Sequence, residues 1–446
     1  MRIVIAGAGE VGFHLAKMMS NEAQNIYIID DNEDRLEYVQ SHIDVFGVKG
    51  NAKNIHVLKE VQVDNCDLLI AATSSEETNL LVCINGKKLG AKRTIARISN
   101  YEGIGTEMRE FYSSLGVDTV ISPVELASQE IKRLVGQSAF TNDYEFEGGK
   151  LIVFGITISE NSPLKNASVS NTQHLNPNRE FKPIALLRND KTIMVQGDTI
   201  LLKNDIVYFI STKRSINQII EICGQECYDL KNIMILGGSR IGVLTAELLE
   251  KKYNVILIEK DKKKAEQIAN YLKKTLVINA DGTDVQALEE ENIEDMDAFI
   301  SVTGNSETNI ITSIVAKSHG VKKTIAGVEN IDYINLSQSI GIDTLINKKM
   351  IAASEIFKFI RKGEVEEIAN LHGVDGEIIE FNVKAGSKIT SKPLRDLKIP
   401  SSTNISGVIR DNEGFIPFGG FQMQAGDKVV VFTQTGSIQE IEKYFQ

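Results

Sequence analysis

The chain is written twice. Ile3-Val4-Ile5-Ala6-Gly7-Ala8-Gly9-Glu10-Val11-Gly12 returns as Ile233-Met234-Ile235-Leu236-Gly237-Gly238-Ser239-Arg240-Ile241-Gly242, an offset of 230 residues from Gly7 to Gly237. Ala72 to Asn79 returns as Val302 to Asn309, and Lys92 to Arg97 as Lys322 to Gly327, both at that same offset. Constant spacing over three separated blocks is the mark of duplication, so the fold must be two like units rather than one large core.

Each copy carries a second part. Leu151 to Ile158, Ile184 to Arg188 and Ile206 to Ile210 read as strands, broken by Ser162-Pro163-Leu164 and turned at Asn204-Asp205. Ile378 to Val383, Ile405 to Arg410 and Lys428 to Phe432 repeat that plan, with Lys392-Pro393-Leu394 and Gly426-Asp427 at the breaks. Both parts end in helix-like tails, Ile216 to Ile222 and Ile438 to Phe445. The organisation is A–B–A′–B′, with expected domains at 1–136, 137–229, 230–363 and 364–446. Apolar-periodic stretches at Val124 to Leu134 and Met350 to Ile360 bridge A to B, followed by Gly136-Gln137-Ser138 and Lys362-Gly363-Glu364. They read either as helices ending in a hinge or as helices that merely finish each A domain.

The glycine-rich blocks carry the chemistry. Arg2 to Ala6 is the short apolar run of a buried parallel strand. Gly7-Ala8-Gly9-Glu10-Val11-Gly12 follows at once, and Phe13 to Met19 continues with helical periodicity. A second apolar run, Ile26 to Ile29, ends in Asp30, 18 residues past Gly12. Strand, glycine turn, helix and closing acid together form a dinucleotide fingerprint, in which glycines admit phosphate to the helix N-terminus and the acid meets the ribose. The competing reading is a bare structural turn. An acid facing the ribose 2′ position disfavours NADP, leaving NAD(H) or ADP/ATP. Gly50-Asn51-Ala52, Thr73-Ser74 and Arg97 end further strands, where ligands of doubly wound sheets bind. Arg97 is either a terminal-phosphate ligand or an ordinary exposed or ion-paired arginine. The second copy keeps Gly237 and Gly242, places Ser239 at the middle glycine, and sets Glu259, Asp281 and Thr303 where Asp30, Asn51 and Thr73 stand. The Ser239 side chain is expected to crowd phosphate, so this copy is either a second site or a pseudo-site kept for its sheet. The expected fold is α/β: two tandem Rossmann-like doubly wound parallel-sheet domains, each followed by a small α+β domain.

Composition closes off other classes. With 42% hydrophobic and 24% charged residues the chain is ordinary globular material, and its net charge of −11 makes nucleic acid a poor partner. No apolar run approaches the roughly 18 to 20 residues of a membrane span, and Met1 to Gly7 runs straight into a strand pattern with no signal peptide, so the expected location is cytoplasmic. Cys66, Cys83, Cys223 and Cys227 fit no zinc spacing and read as packing or incidental thiols. The six histidines form no cluster, and no metal site is expected.

The blocks at 7–12, 72–79 and 96–98, with Gly341-Ile342-Asp343 and Ile360-Arg361-Lys362-Gly363, resemble the TrkA family of Trk potassium-uptake regulatory proteins over essentially the whole chain. The resemblance implies two RCK domains (regulators of potassium conductance) in one chain, each a Rossmann half plus a C-terminal half. It further implies a non-enzymatic peripheral subunit at the inner face of the cell membrane, docked on a Trk-type potassium transporter and controlled by NAD(H) and adenine nucleotides. Four such chains would make a homotetrameric ring of eight RCK domains. Gly7, Gly9, Gly12, Asp30, Thr73 and Arg97 match the family's nucleotide positions, while Ser239 and Gly327 depart from them. The C-terminal halves resemble regions used for assembly or small-ligand sensing, with no residue that identifies a ligand. Two other classes compete: a freestanding nucleotide sensor on another cation transporter or channel, and an NAD-dependent oxidoreductase. The latter needs an acid/base residue, and the B halves offer only His174 and His372 in unmatched contexts.

Overall fold

A computed structural model describes residues 1–20, 25–98, 106–136, 143–189, 191–225, 230–330, 341–358, 365–370, 374–434 and 437–445. The two A parts form one compact unit, Met1–Arg133 with Lys231–Ile360, and the two B parts another, Leu134–Leu230 with Arg361–Gln446. The expected boundaries at 136/137, 229/230 and 363/364 each touch residues outside the described ones.

The first A part holds β1 (Arg2–Ala6), β2 (Asn25–Asp30), β3 (Phe46–Lys49), β4 (Leu68–Ala71), β5 (Thr94–Arg97) and β6 (Thr119–Ile121). They form a parallel sheet in the order β3-β2-β1-β4-β5-β6, the doubly wound order, with its reversal between β1 and β4. Strands buried on both faces explain the continuous apolar runs. Ile3, Ile5, Ile28 and Ile70 look to one face, and Val4, Ala6, Leu69 and Ala71 to the other.

The first B part holds β7 (Asp143–Phe146), β8 (Leu151–Thr157), β9 (Phe181–Arg188), β10 (Lys191–Met194) and β11 (Ile206–Ser211), an antiparallel sheet ordered β10-β9-β11-β8-β7 and followed by the helix Ile216–Ile222. The second A part repeats the parallel order with β12 (Asn232–Leu236), β13 (Asn254–Glu259), β14 (Leu276–Asn279), β15 (Ala298–Ser301), β16 (Lys323–Gly327) and β17 (Thr344–Ile346), ordered β14-β13-β12-β15-β16-β17. The second B part repeats the antiparallel plan with β18 (Val365–Asn370), β19 (Glu377–Asn382), β20 (Thr403–Arg410), β21 (Glu413–Phe415) and β22 (Lys428–Thr433), ordered β18-β19-β22-β20-β21. Both B sheets are bulged at the same place, opposite Tyr208/Phe209 in one and between Ile405 and Gly407 in the other.

The stretches that bridge A to B are the helices Pro123–Gly136 and Lys348–Lys358, and each crosses to the opposite A copy. Ala352, Ala353, Ile356 and Phe357 are buried in the core of the first copy, beside Val11 and Leu15 of its first helix, Glu10–Ser20. Ser128, fully buried, donates its hydroxyl hydrogen to Ile241 O at 3.3 Å on the second copy's first helix. They are therefore inter-copy braces within the A unit, a role neither sequence reading included. Gln137, Ser138 and 362–364 lie outside the described residues.

Candidate functional site

In the first copy each glycine of the loop has its own steric reason. Gly7 sits at φ +110°, where L side chains are strained, with the Thr73 and Ala72 backbone 3.0–3.1 Å from where a Cβ would be. A Cβ on Gly12 would stand 1.9 Å from Gly7 O, so this glycine lets the helix press against the strand. Around Gly9 a Cβ would meet nothing within 4 Å. No protein atom requires glycine there; the open volume at the helix N-terminus is the cradle that phosphate oxygens would fill.

Asp30 closes β2 and is 8% exposed. Its Oδ2 accepts from Ala8 N–H (2.7 Å) and its Oδ1 from Asn32 N–H (2.9 Å), with Arg35 at 4.0 Å. The carboxylate thus braces the glycine loop from beneath. A carboxylate has about four acceptor positions, so capacity for ribose hydroxyls remains. Asn51 Oδ1 accepts from Lys53 N–H and holds the turn after β3, next to Ala52. Thr73 N–H and hydroxyl both donate to Asn79 Oδ1, at 2.9 and 2.7 Å. Gly7, Gly9, Glu10, Val11, Asp30, Asn51, Ala52, Thr73, Ser74 and Arg97 line one crevice of about 480 Å³, with Ala8 and Gly12 behind the loop.

The second copy builds the same shape from different chemistry. Gly237 (φ +104°) and Gly242 repeat the roles of Gly7 and Gly12. Glu259 accepts from Gly238 N–H and Asp261 N–H, both at 3.0 Å, and pairs with Lys264 at 2.9 Å. Burial pushes its pKa up, but the Asp261 amide and Lys264 outweigh that and hold it below the usual carboxylate range. Asp281 caps its own turn, accepting from Thr283 N–H and hydroxyl, and these bonds lower its pKa. Ser239 caps the helix Arg240–Leu249: its Oγ accepts from Gly242 N–H (3.2 Å) and donates to Val302 O (2.6 Å). Beyond the crowding expected from its size, the side chain engages a first-turn amide directly. Gly237, Ser239, Glu259, Asp281 and Thr303 line a crevice of about 350 Å³.

The TrkA-N domain model matches residues 3–123 and 233–348, and the TrkA-C domain model matches 153–224 and 378–446. The chain belongs to the TrkA family. It is 33% identical to a Trk system potassium uptake protein TrkA homolog of Methanosarcina mazei, with all of both chains aligned. It is 32% identical to the Haemophilus influenzae Trk system potassium uptake protein TrkA, over 100% of this chain and 99% of the other. Among solved structures, the RCK domain of GsuK matches with a TM-score of 0.61 at 16% identity, covering 100% of this chain and 94% of that one. The GsuK channel bound to NAD matches with the same score and identity, covering 78% of that chain. At this identity the likeness establishes the fold, a tandem RCK architecture of Rossmann-like and antiparallel halves.

Within this TrkA-family chain, Arg97 is neither freely solvated nor, among the described residues, tied into a close ion pair. It is half-buried, its Nε lacks a hydrogen-bond partner, and burial lowers its pKa while Glu76 and Glu329 pull it back up. It borders the first crevice and also a separate cavity of about 310 Å³ between the two A copies.

Sequence reasoning overlooked two sets of residues. Asn79 and Asn309, 1% and 2% exposed, each tie a threonine at the end of one strand to a carbonyl at the end of the next, Arg97 O (2.8 Å) and Gly327 O (2.7 Å). Their signal was present, because Glu-Thr-Asn is retained in both copies while its neighbours vary. The other set is Lys349, which reaches from the second copy to Glu10 in the first glycine loop (2.6 Å) and to Glu329 (3.2 Å). Nothing in the sequence marks that pair. His174 lies in a short 3-10 turn, Val169–Leu175, and His372 and 360–363 fall outside the described residues.

Proposed function

We propose that this chain is the nucleotide-sensing regulatory subunit of a Trk-type potassium uptake system, working at the cytoplasmic face of the membrane without catalysing a reaction. The observation that carries the nucleotide part is the open cradle at Gly9, framed by Gly7 at its positive φ, packed Gly12 and the brace of Asp30. NAD(H) or ADP/ATP would lie with phosphates at the amides of Gly9 to Gly12, ribose toward Asp30 and adenine along Asn51 and Ala52. In the second crevice Ser239, Glu259, Asp281 and Thr303 would take the corresponding places. The bound group supplies charge and differential affinity, and the protein residues bind and orient it. A ligand moves a conformational equilibrium only by its unequal affinity for two states, and here the inter-copy helices would pass on the change.

Full-length likeness to TrkA proteins supports the Trk partner, and no described helix is long and apolar enough to cross a membrane, which suits a docked subunit. The homotetrameric ring of eight RCK domains is supported by exposed apolar residues at matched positions of the two copies. Phe46 and Leu276 are 57% and 58% exposed, Leu81 and Ile311 42% and 60%. Calorimetry with NAD⁺, NADH, ADP, ATP and NADP⁺ tests the site, with NADP⁺ expected to bind far more weakly. Equal affinity for NAD⁺ and NADP⁺ sinks the role given to Asp30. Deleting the gene should impair growth and potassium uptake at low external potassium; unchanged uptake removes the Trk assignment.

A further inference from the structure

Arg97 stands at the meeting of two spaces. On one side is the first crevice, with Gly9 and Thr73; on the other is the inter-copy cavity, whose wall includes Ser239, Thr303 and Gly304 of the second copy. Those same three residues border the second crevice, so the inter-copy cavity continues it past the second glycine loop. The second copy has no arginine at the end of its matching strand, and its Arg240, which also lines this cavity, is exposed at the start of the helix. Gly327 aligns with Arg97, lines the cavity, and a Cβ on it would make only ordinary contacts, the nearest 3.4 Å from Val302. The Arg97 guanidinium thus borders the first crevice and the cavity that continues the second, and its Nε has no partner among the described residues. Of the other cations in this wall, Arg240 is exposed and Lys348 is already held by Glu329 at 2.7 Å.

We infer that Arg97 is shared between the two nucleotide crevices, so that di- or triphosphates in them compete for it and bind with negative coupling. The inference rests on the nucleotide reading above and adds regulation to it. A partly desolvated guanidinium is a strong receptor for phosphate, and its planar fork completes one terminal phosphate group at a time. The first polyphosphate to arrive takes it, and the second binds without it. By linkage the penalty is the same whichever crevice fills first. The difference expected from one charged hydrogen-bonding group is about ten- to a hundredfold in affinity.

Calorimetry on the full chain tests this with ATP as the probe. The parent should bind ATP in two classes differing about ten- to a hundredfold. Gly9→Asp places a carboxylate in the open cradle of the first crevice, and Gly304→Asp does the same at the second, where a Cβ also meets nothing within 4 Å. Each variant should keep one tight class, because the remaining crevice has Arg97 to itself. Arg97→Ala should weaken the tight class about ten- to a hundredfold, leaving only the difference set by the two loops themselves, and Gly327→Arg should strengthen the weak class. Melting temperatures without ligand identify any variant that fails to fold, and Arg97→Lys then serves as the milder replacement, expected to narrow the gap. A tight class as strong in Arg97→Ala as in the parent, or ATP filling both crevices of the parent independently, overturns the sharing and leaves the nucleotide reading intact. No heat from any nucleotide in the folded parent overturns both.

Discussion

The carboxylate of Asp30 has two duties that one substitution can separate. Asp30→Asn keeps the size and one carbonyl oxygen but replaces the other oxygen with an NH₂ group. Two backbone amides, Ala8 N–H and Asn32 N–H, converge on the two oxygens at 2.7 and 2.9 Å, so one of them must then face a donor. Ala8 is 5% exposed, and water cannot readily replace the lost acceptor. Leaving one buried N–H unsatisfied costs about 1–3 kcal/mol. In a unit of this size that corresponds to a fall of roughly 2–12 °C in melting temperature. The assay is thermal unfolding without nucleotide, with Asp31→Asn as the control, since exposed Asp31 borders the same crevice. The ligand effect is read separately as a loss of NAD⁺ over NADP⁺ preference. If Asp30→Asn melts within a degree of the parent while Asp31→Asn behaves alike, the carboxylate is not the brace of the loop.

The glycines separate in the same way: Gly9→Ala should leave the melting temperature nearly unchanged and weaken nucleotide binding, whereas Gly12→Ala should unfold or strongly destabilise the first A part through the 1.9 Å clash with Gly7 O. In the B unit, Asp205 and Asp427 are each 1% exposed and receive two bonds from Arg188 (2.7 and 2.6 Å) and Arg410 (both 2.7 Å). Asp205→Ala or Asp427→Ala should cost about 1.5–3 kcal/mol in chemical denaturation, the size expected for losing hydrogen bonds to a charged group whose arginine partner still reaches water. Lys182 donates to Ile405 O and Pro417 O, and burial of its ammonium lowers its pKa from 10.5 to about 7. The unfolded chain then holds the extra proton between those values, so stability should rise with pH from about 7 to 10.5 and be flat below. Lys182→Met should remove that slope, and an unchanged slope would show that Lys182 is not its source.

The parallel sheets were legible because strands buried on both faces leave continuous apolar runs, and duplication gave each run a second witness. Ile184 to Arg188 was read as a strand and is one, but β9 starts earlier, at Phe181, since a bulge and Pro183 disguise its alternation. The short edge strands β7 and β10 carry too few apolar residues to announce themselves. Asp30 was found by its spacing, yet its hold on Ala8 N–H was not, because backbone donors have no letter in a sequence. Nor could periodicity say where Ala352 and Phe357 would be buried: an apolar stripe records that a helix is covered, not by which neighbour.

The crossing of the helices Pro123–Gly136 and Lys348–Lys358 bears on how such a chain can evolve. A dimer of identical half-length chains must carry every residue on both sides of its axis, so any gain at one site is imposed on the other. Joining the halves in one polypeptide lifts that constraint while the crossed helices keep the pair together. Glu10 can then face Lys349 on one side while Arg240 occupies its place on the other, and Arg97 can be kept where Gly327 gives it up. Left–right divergence of this kind then needs no second gene, because the two halves share a single reading frame.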